Sequence, residues 1–553
     1  MTHLPPLSKA LLALVAFSAA VSAQTQGADS TTRAVDRVFD AWRGPDSPGC
    51  ALAVSRNGRV IYESGYGMAN LETGTPITPA SIFHVASISK QFTAMAIMLL
   101  ARDGKLSIDD DIRKHLQEIR DYGTKITIRH LLTHTSGLRD QWELLALARG
   151  RFEENRITEA DIMDIVPRQT ALNFTPGAEY VYSNTGFTLL AVIVKRVSGK
   201  SLRDFADERI FKRLGMTNTH FHDDYTMLVR GRTSAYAPRG SGWRVSIPNF
   251  DTYGATSLFT TVGDLLKWEA NLDNPVVGDR ALIAQMETPT PLTNGDTSNY
   301  GFGLVADRYR GVRFVGHGGA DAGYRADVKR FPEQGLATAV LCNAATANPG
   351  QLGNRVAEIY LAAALSPLPA TVEPQGVSMP AERLRRRAGA YIDRRTMRVL
   401  ELTMRGGRLM LGREGNATLV PVSDDRMRVA NDPNVAIFDD AASTFDLIPP
   451  AGRRLHFERG TPASATRDLL AAYAGEYVSD ELAGAVYVVT AGDSTLTLRT
   501  GTSDGFTARL VFAETFLGTN GNALQFTRDG GRVTGFDVSN GRIRHVKFVR
   551  RAK

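Results

Sequence analysis

Cysteine is nearly absent: Cys50 and Cys342 are the two in 553 residues. That excludes a disulfide-stapled scaffold and a cysteine-rich zinc module, and neither residue has metal-ligand spacing. Both lie in apolar, strand-like text, CALAVS and ATAVLC, which leaves a disulfide and two buried thiols equally open. Past the first 23 residues no segment approaches the roughly 18 apolar residues of a membrane-spanning helix. Aromatics amount to 8%, and none interleaves with basic clusters as in a nucleic-acid module. The net charge of +7 comes from scattered arginines, locally dense only in runs such as Arg385-Arg386-Arg387 and Arg550-Arg551, and reads as solvated surface. No nucleic-acid partner and no membrane span are expected.

What is present begins with a leader. Lys9 precedes an apolar run from Ala10 to Val21, and the small residues Val21-Ser22-Ala23 stand before Gln24. This is the pattern of a cleaved secretory signal, so residues 1–23 are expected to be removed and the mature protein to be periplasmic or secreted. No cysteine lies near the cleavage point, which argues against a lipid anchor there.

Residues 51–68 alternate apolar and polar around Asn57-Gly58, a strong hairpin signal. From Ile88 to Ala101 the text is apolar nearly all round, which predicts a buried helix. Further helices are predicted at 128–133, 186–198, 201–213 and 263–271, and strand-like alternation returns from about 300 to 345. Strands at both ends of a helical middle predict an α+β fold in which the terminal strands share one sheet. The four prolines in SPLPATVEPQGVSMPA, residues 366–381, mark a linker. Short alternating segments then fill 382–553, an all-β region with a candidate cut into two units near 466. Ala388-Gly389-Ala390-Tyr391 recurs as Ala474-Gly475-Glu476-Tyr477, and Leu409 and Leu411 recur as Leu496 and Leu498. Two similar antiparallel units, or two halves of one barrel, produce such a repeat.

Three short motifs carry chemistry. Ser87 and Lys90 form the chain's one S-x-x-K, at a helix start, with the lysine one turn on and within reach of the hydroxyl. A serine is a weak nucleophile until a base takes its proton, and a buried lysine of lowered pKa is such a base. Tyr182-Ser183-Asn184 lies between the Pro176-Gly177 turn and an apolar helix, where tyrosine relays a proton and asparagine holds an amide carbonyl. Gly316-His317-Gly318-Gly319-Ala320 precedes a strand, and its glycines let a substrate backbone come close. Each alone is common: a serine cap, a packed tyrosine, a structural histidine. Their order is far more specific.

That order, with ITIRHLLTHTSGL at 126–138, FTPGAEYVYSNTGFTLL at 174–190, TTVGDLLKW at 260–268 and GHGGADAGYRADVKRFP at 316–332, resembles the serine β-lactamase and penicillin-binding-protein superfamily in its class C-like branch, over roughly residues 35–365. The resemblance implies a helical domain against an antiparallel sheet within 24–365, with the active site between them. It implies Ser87 as acylated nucleophile, Lys90 as its proton partner and Tyr182 as second proton-transfer residue. Asn184, His317, Gly319 and Ala320 are implied to bind substrate, the N–H groups of Ser87 and Ala320 forming the oxyanion hole. The third motif departs from the K-T-G of most members, whose lysine holds a substrate carboxylate. H-x-G occurs instead in D-aminopeptidases and esterases of this branch. The D-aminopeptidases also append two β-barrels, which the layout after Ala381 resembles, as it does a single lipocalin-like barrel.

Two patterns are set aside. Gly501-Thr502-Ser503-Asp504-Gly505 matches a nucleophile elbow but has strand-like text on both sides, and Asp109-Asp110-Asp111 sits where a helix cap is expected. Neither a metal nor another cofactor is called for. The expectation is an exported serine hydrolase acting through an acyl-enzyme on D-amino-acid peptides, β-lactams or small esters, with peptidase or esterase action ranked above β-lactamase action. The alternatives are a class C-like β-lactamase proper and a non-catalytic binding or assembly protein that keeps the fold. Oligomeric state has no signal in the sequence.

Overall fold

A computed structural model describes residues 30–150, 155–367, 377–412, 417–430, 434–448, 454–501 and 505–552. The expected signal peptide, most of the proline-rich linker and residues 502–504 of the Gly501–Gly505 pattern lie outside the described residues; the strands flanking that pattern, Thr495–Thr500 and Phe506–Phe512, are as expected.

Strands β1 (Cys50–Arg56) and β2 (Arg59–Tyr66) form the hairpin at Asn57-Gly58, both with positive φ as a two-residue turn requires. They join β3 (Val305–Tyr309), β4 (Val312–Asp321), β5 (Tyr324–Phe331) and β6 (Leu336–Cys342) in one sheet of order β3-β4-β5-β6-β1-β2. Each neighbouring pair is antiparallel, and β1 meets β6 in register, Cys50 opposite Cys342. The two ends of the sequence thus share a sheet.

Strand β6 is buried throughout and β1 from Cys50 to Ser55, and period-two alternation divides their side chains between two cores. Ala51 and Ala53 of β1 and Ala337, Ala339 and Leu341 of β6 face the larger core, with the helices. Cys50, Leu52, Val54, Leu336, Val340 and Cys342 face a second core shared with Val35, Phe39 and Val356. The larger core is filled by α1 (Ser89–Arg102), α2 (Asn184–Ser198) and α3 (Val262–Asp273), while α4 (Pro349–Leu361) supplies Val356 on the other face. Every residue of α1 from Ser89 to Leu100 is buried. The helix predicted over 201–213 is three segments, Leu202–Ala206, a wider π turn Asp207–Phe211, and Lys212–Leu214.

The C-terminal region forms two closed antiparallel barrels of eight strands, one from β7 (Gly389–Asp393) to β14 (Leu455–Arg459), the other from β15 (Gly475–Ser479) to β22 (Val546–Arg550). The repeated tyrosines occupy equivalent places. Tyr391 donates to the carbonyl of Arg387 at 2.9 Å and Tyr477 to that of Tyr473 at 2.7 Å, and Leu409 and Leu496 are both buried. The barrels meet through Ile392, Met397, Val511, Phe512 and Ala523 and an ion pair of Glu401 with Arg509 at 2.6 Å.

The second barrel is bound to the part of the chain before the linker by buried polar contacts. Arg139 pairs with Glu481 at 2.7 Å and donates to the carbonyls of Arg544 and His545. Glu179 receives Arg544 of the second barrel at 2.9 Å and Arg395 of the first. Breaking one side of such a buried pair costs about 3–5 kcal/mol, because the other charge is left without a partner.

Cys50 and Cys342 are joined in a disulfide that closes a sequence separation of 292. Mass spectrometry of the denatured, unreduced protein after alkylation is expected to show no modified thiol. The double variant Cys50→Ala/Cys342→Ala should lose about 2–4 kcal/mol of stability by calorimetry, because its unfolded chain is no longer cross-linked.

Candidate active site

Ser87 sits in a 3-10 turn, Ala86–Ile88, immediately before α1. Ala86 has φ 47, a left-handed conformation costly for a residue with a Cβ, which is held here by close packing. The turn hangs from two hydrogen bonds, Val85 N to Leu258 O at 2.9 Å and Leu258 N to Ser89 Oγ at 3.0 Å. Across it runs β4, where a Cβ on Gly319 would lie 2.3 Å from the Val85 carbonyl oxygen. Only glycine lets the strand approach the serine turn this closely.

Lys90, one helical turn on, is fully buried. Its Nζ donates to Ser87 Oγ at 3.1 Å, Asn184 Oδ1 at 2.9 Å and the Ala255 carbonyl at 2.7 Å. The rings of Tyr182 and Phe187 lie 4.9 and 5.6 Å from the nitrogen. Burial pulls the amine down to about 7, Asp140 opposes this, and Arg542 adds to it. A neutral amine keeps two N–H donors, enough for Asn184 and Ala255, and turns its lone pair to the serine hydroxyl.

Asn184 opens α2, and its Oδ1 serves Lys90 while Asp140 Oδ2 accepts from its backbone N at 2.6 Å and its Nδ2 at 2.9 Å. The Asp140 carboxylate therefore caps a helix start and fixes the amide's orientation together. Tyr182 packs at 4.1 Å between ring centroids, tilted, against His134, whose Nδ1 accepts the Ser183 N–H at 3.1 Å. Burial raises the phenol of Tyr182 far above its usual value, with the neighbouring Ser87 hydroxyl acting against it. The imidazole of His134 is held well below its usual value, first by burial and then by Lys90.

His317 is likewise buried, and burial followed by the charge of Lys90 brings it down to about 4. Both ring nitrogens are committed: Nδ1–H donates to the Gly318 carbonyl, and Nε2 accepts from Tyr300 at 3.0 Å. A neutral histidine so engaged carries no charge to offer a carboxylate.

Ser87, Tyr182, Asn184, His317, Gly319 and Ala320 line one cleft of about 940 Å³, with Lys90 beneath its floor. The folded chain thus brings together every site residue marked from the sequence. Asp109 pairs with Arg129, Asp110 with Lys114 and Asp111 with Arg113, and among the described residues no cluster is arranged to hold a metal. Sequence reasoning missed Asp140, His134, Tyr300 and Arg542. His134 lies inside the marked text 126–138 and Asp140 two residues beyond it; Tyr300, in an isolated bridge to Val305, and Arg542, in a bend, have no distinctive neighbours.

The family model described as Beta-lactamase matches residues 35–362 of the chain. A D-aminopeptidase of Brucella melitensis is 26% identical over 460 residues, covering 80% of this chain and 82% of that protein. Among solved structures, the octameric penicillin-binding protein homologue from Pyrococcus abyssi aligns with a TM-score of 0.53 at 26% identity, over 74% of this chain and 96% of its own. D-amino acid amidase from Ochrobactrum anthropi, complexed with L-phenylalanine amide, shares the fold, with a TM-score of 0.52 at 23% identity over 60% of this chain and 99% of its own.

Replacing Asp140 by Asn removes the charge that works against the depression of Lys90. In Asp140→Asn the acid limb of the pH–rate profile is expected to move to lower pH, and turnover to fall about tenfold as Asn184 loses its anchor. An unmoved limb in a folded variant would refute the electrostatic link.

Proposed function

This chain belongs to the β-lactamase family and is a serine hydrolase of it, and on that premise we propose that it is exported and opens amide bonds of D-amino-acid peptides and amides through an acyl-enzyme at Ser87. One observation carries the mechanism: a fully buried Lys90 amine, brought to about 7, stands 3.1 Å from the serine oxygen.

In the first half-reaction the neutral Lys90 amine takes the Ser87 proton as Oγ attacks the substrate carbonyl. The oxyanion is received by the N–H groups of Ser87 and Ala320, each such donor being worth about 3–4 kcal/mol of barrier. The C–N bond breaks as Tyr182 passes a proton to the leaving amine and is reprotonated from Lys90, so the serine's proton leaves with the product. Water then attacks the ester, Tyr182 and Lys90 taking its proton and returning one to Ser87. Asn184 holds the substrate amide, and Gly319 and His317 shape the wall along which it lies.

The similarity to D-aminopeptidases over four-fifths of the chain supports the substrate class. The neutral, doubly hydrogen-bonded His317 supports ranking peptidase or esterase action above β-lactamase action, because carboxylate binding by the third motif is lost. Export is supported by the leader text and by the Cys50–Cys342 disulfide, which persists in oxidising compartments.

A reactive phosphonate is expected to label Ser87 in the wild type and nothing in Ser87→Ala; label that persists in the variant defeats the acyl-enzyme reading. Lys90→Ala and Tyr182→Phe should each lose at least about a hundredfold in turnover of a D-alanyl anilide. A chromogenic cephalosporin turned over rapidly, with no anilide or nitrophenyl ester cleaved, would reverse the substrate order.

The pH dependence has a definite sign. Below about 7 Lys90 is protonated and cannot accept the serine's proton, so kcat/KM should rise with pH through about 7, while His317, neutral above about 4, adds no limb there. A profile flat through neutrality would remove Lys90 as the base.

A further inference from the structure

One wall of the cleft does not come from the hydrolase fold. The turn Asn540–Ile543 of the second barrel reaches it, and Arg542 lines the cleft with Ser87, Tyr182, Asn184 and Ala320. Asn540 N–H donates to the Ile543 carbonyl at 2.8 Å, and Asn540 Oδ1 receives the N–H groups of Arg542 at 2.9 Å and Ile543 at 3.1 Å.

The turn is fixed to the hydrolase part by its backbone and by its neighbours. The Arg542 carbonyl accepts from Asn173 Nδ2 at 2.8 Å and from Asp140 N at 3.3 Å. Asn540 Nδ2 donates to Glu143 at 2.9 Å, and Arg544 N donates to Asn173 Oδ1 at 2.8 Å. The Arg542 side chain takes no part in this. Its guanidinium stands 5.3 Å from the centre of the Tyr182 ring and forms no ion pair and no hydrogen bond with any described residue.

The other charged groups along the cleft are engaged. Asp321 accepts from Thr256 at 2.9 Å and meets His84, and Asp327 pairs with Lys329 at 3.3 Å. Glu143 is held by Asn540, and Arg325 donates to the Ala322 and Tyr324 carbonyls. Arg542 is thus a partially exposed cation with its fork of donors uncommitted, held in place by its own backbone. Such a fork suits a planar carboxylate.

We propose that Arg542 binds a carboxylate on the leaving portion of the substrate, so that peptides ending in a free carboxyl group next to the scissile bond are preferred over substrates with neutral leaving groups. The side follows from its neighbour: Tyr182, over which Arg542 stands, is the residue assigned to protonate the leaving amine. The proposal rests on that assignment.

The test uses the full chain and two aryl phosphonates, alike except that one carries a carboxylate on the aryl leaving group. In both, Ser87 Oγ bonds to phosphorus as the phosphorus–aryloxide bond breaks and the aryloxide leaves as the phenol. Labelling of Ser87 is timed by mass spectrometry. The wild type is expected to react at least about tenfold faster with the carboxylated probe. Arg542→Ala should bring the ratio of the two rates near one, Arg542→Lys should retain part of it, and Arg542→Glu should invert it. Equal rates in the wild type, or a preference that survives Arg542→Glu, would overturn the proposal while leaving the acyl-enzyme reading intact. No label at Ser87 from either probe would overturn both.

Discussion

Lys90 has no access to water, and its amine must be satisfied by three protein oxygens in a site where carrying charge is unfavourable. Most of the local architecture follows from meeting that demand. The helix around it is buried on every side, which removes solvent and brings the amine into the range where it titrates near neutrality. The acceptors come from distant segments: the serine turn, the start of α2, and the carbonyl of Ala255. Asp140 holds the second of these in place and limits how far the amine's basicity falls. Removing water brings the Lys90 amine down to about 7; the ring of oxygens prevents that removal from being ruinous.

The same desolvation silences the neighbouring histidines. His134 and His317 are both neutral, one supporting Tyr182 and the other tied between Tyr300 and Gly318. They therefore act through shape and hydrogen bonding. Positive charge in the cleft comes instead from its edge, where Arg542 is partly exposed to water.

Local patterns made much of this readable from the sequence. The pair Ser87 and Lys90 lies within one helical turn, Tyr182 and Asn184 within one tripeptide, and Gly319 in a glycine-rich strand; each motif alone is common, and their order, with the resemblance it carries, marked them. The hairpin at Asn57-Gly58, the buried helix after Ser87 and the repeat that became two barrels were legible from local pattern. The disulfide depended on the register of β1 against β6, which alternation does not specify over such a separation. The sequence left one barrel or two open, because a repeat of strands does not state where a sheet closes. Asp140, Tyr300 and Arg542 act through contacts between segments far apart in the chain, and their immediate surroundings are ordinary turn text. The π turn at Asp207–Phe211 was hidden in helical periodicity, which a single wide turn barely disturbs.

The anchoring of the Asn540–Ile543 turn also sets an order in time. Ser87 and its helix leave the ribosome early, and the sheet that carries them waits for β6 before β1 has its partner. The arginine-bearing turn is made several hundred residues after the serine, when both barrel sheets have nearly been completed. A growing chain therefore holds Ser87 and Lys90 long before the cleft has its last wall, which is added only at the very end of synthesis.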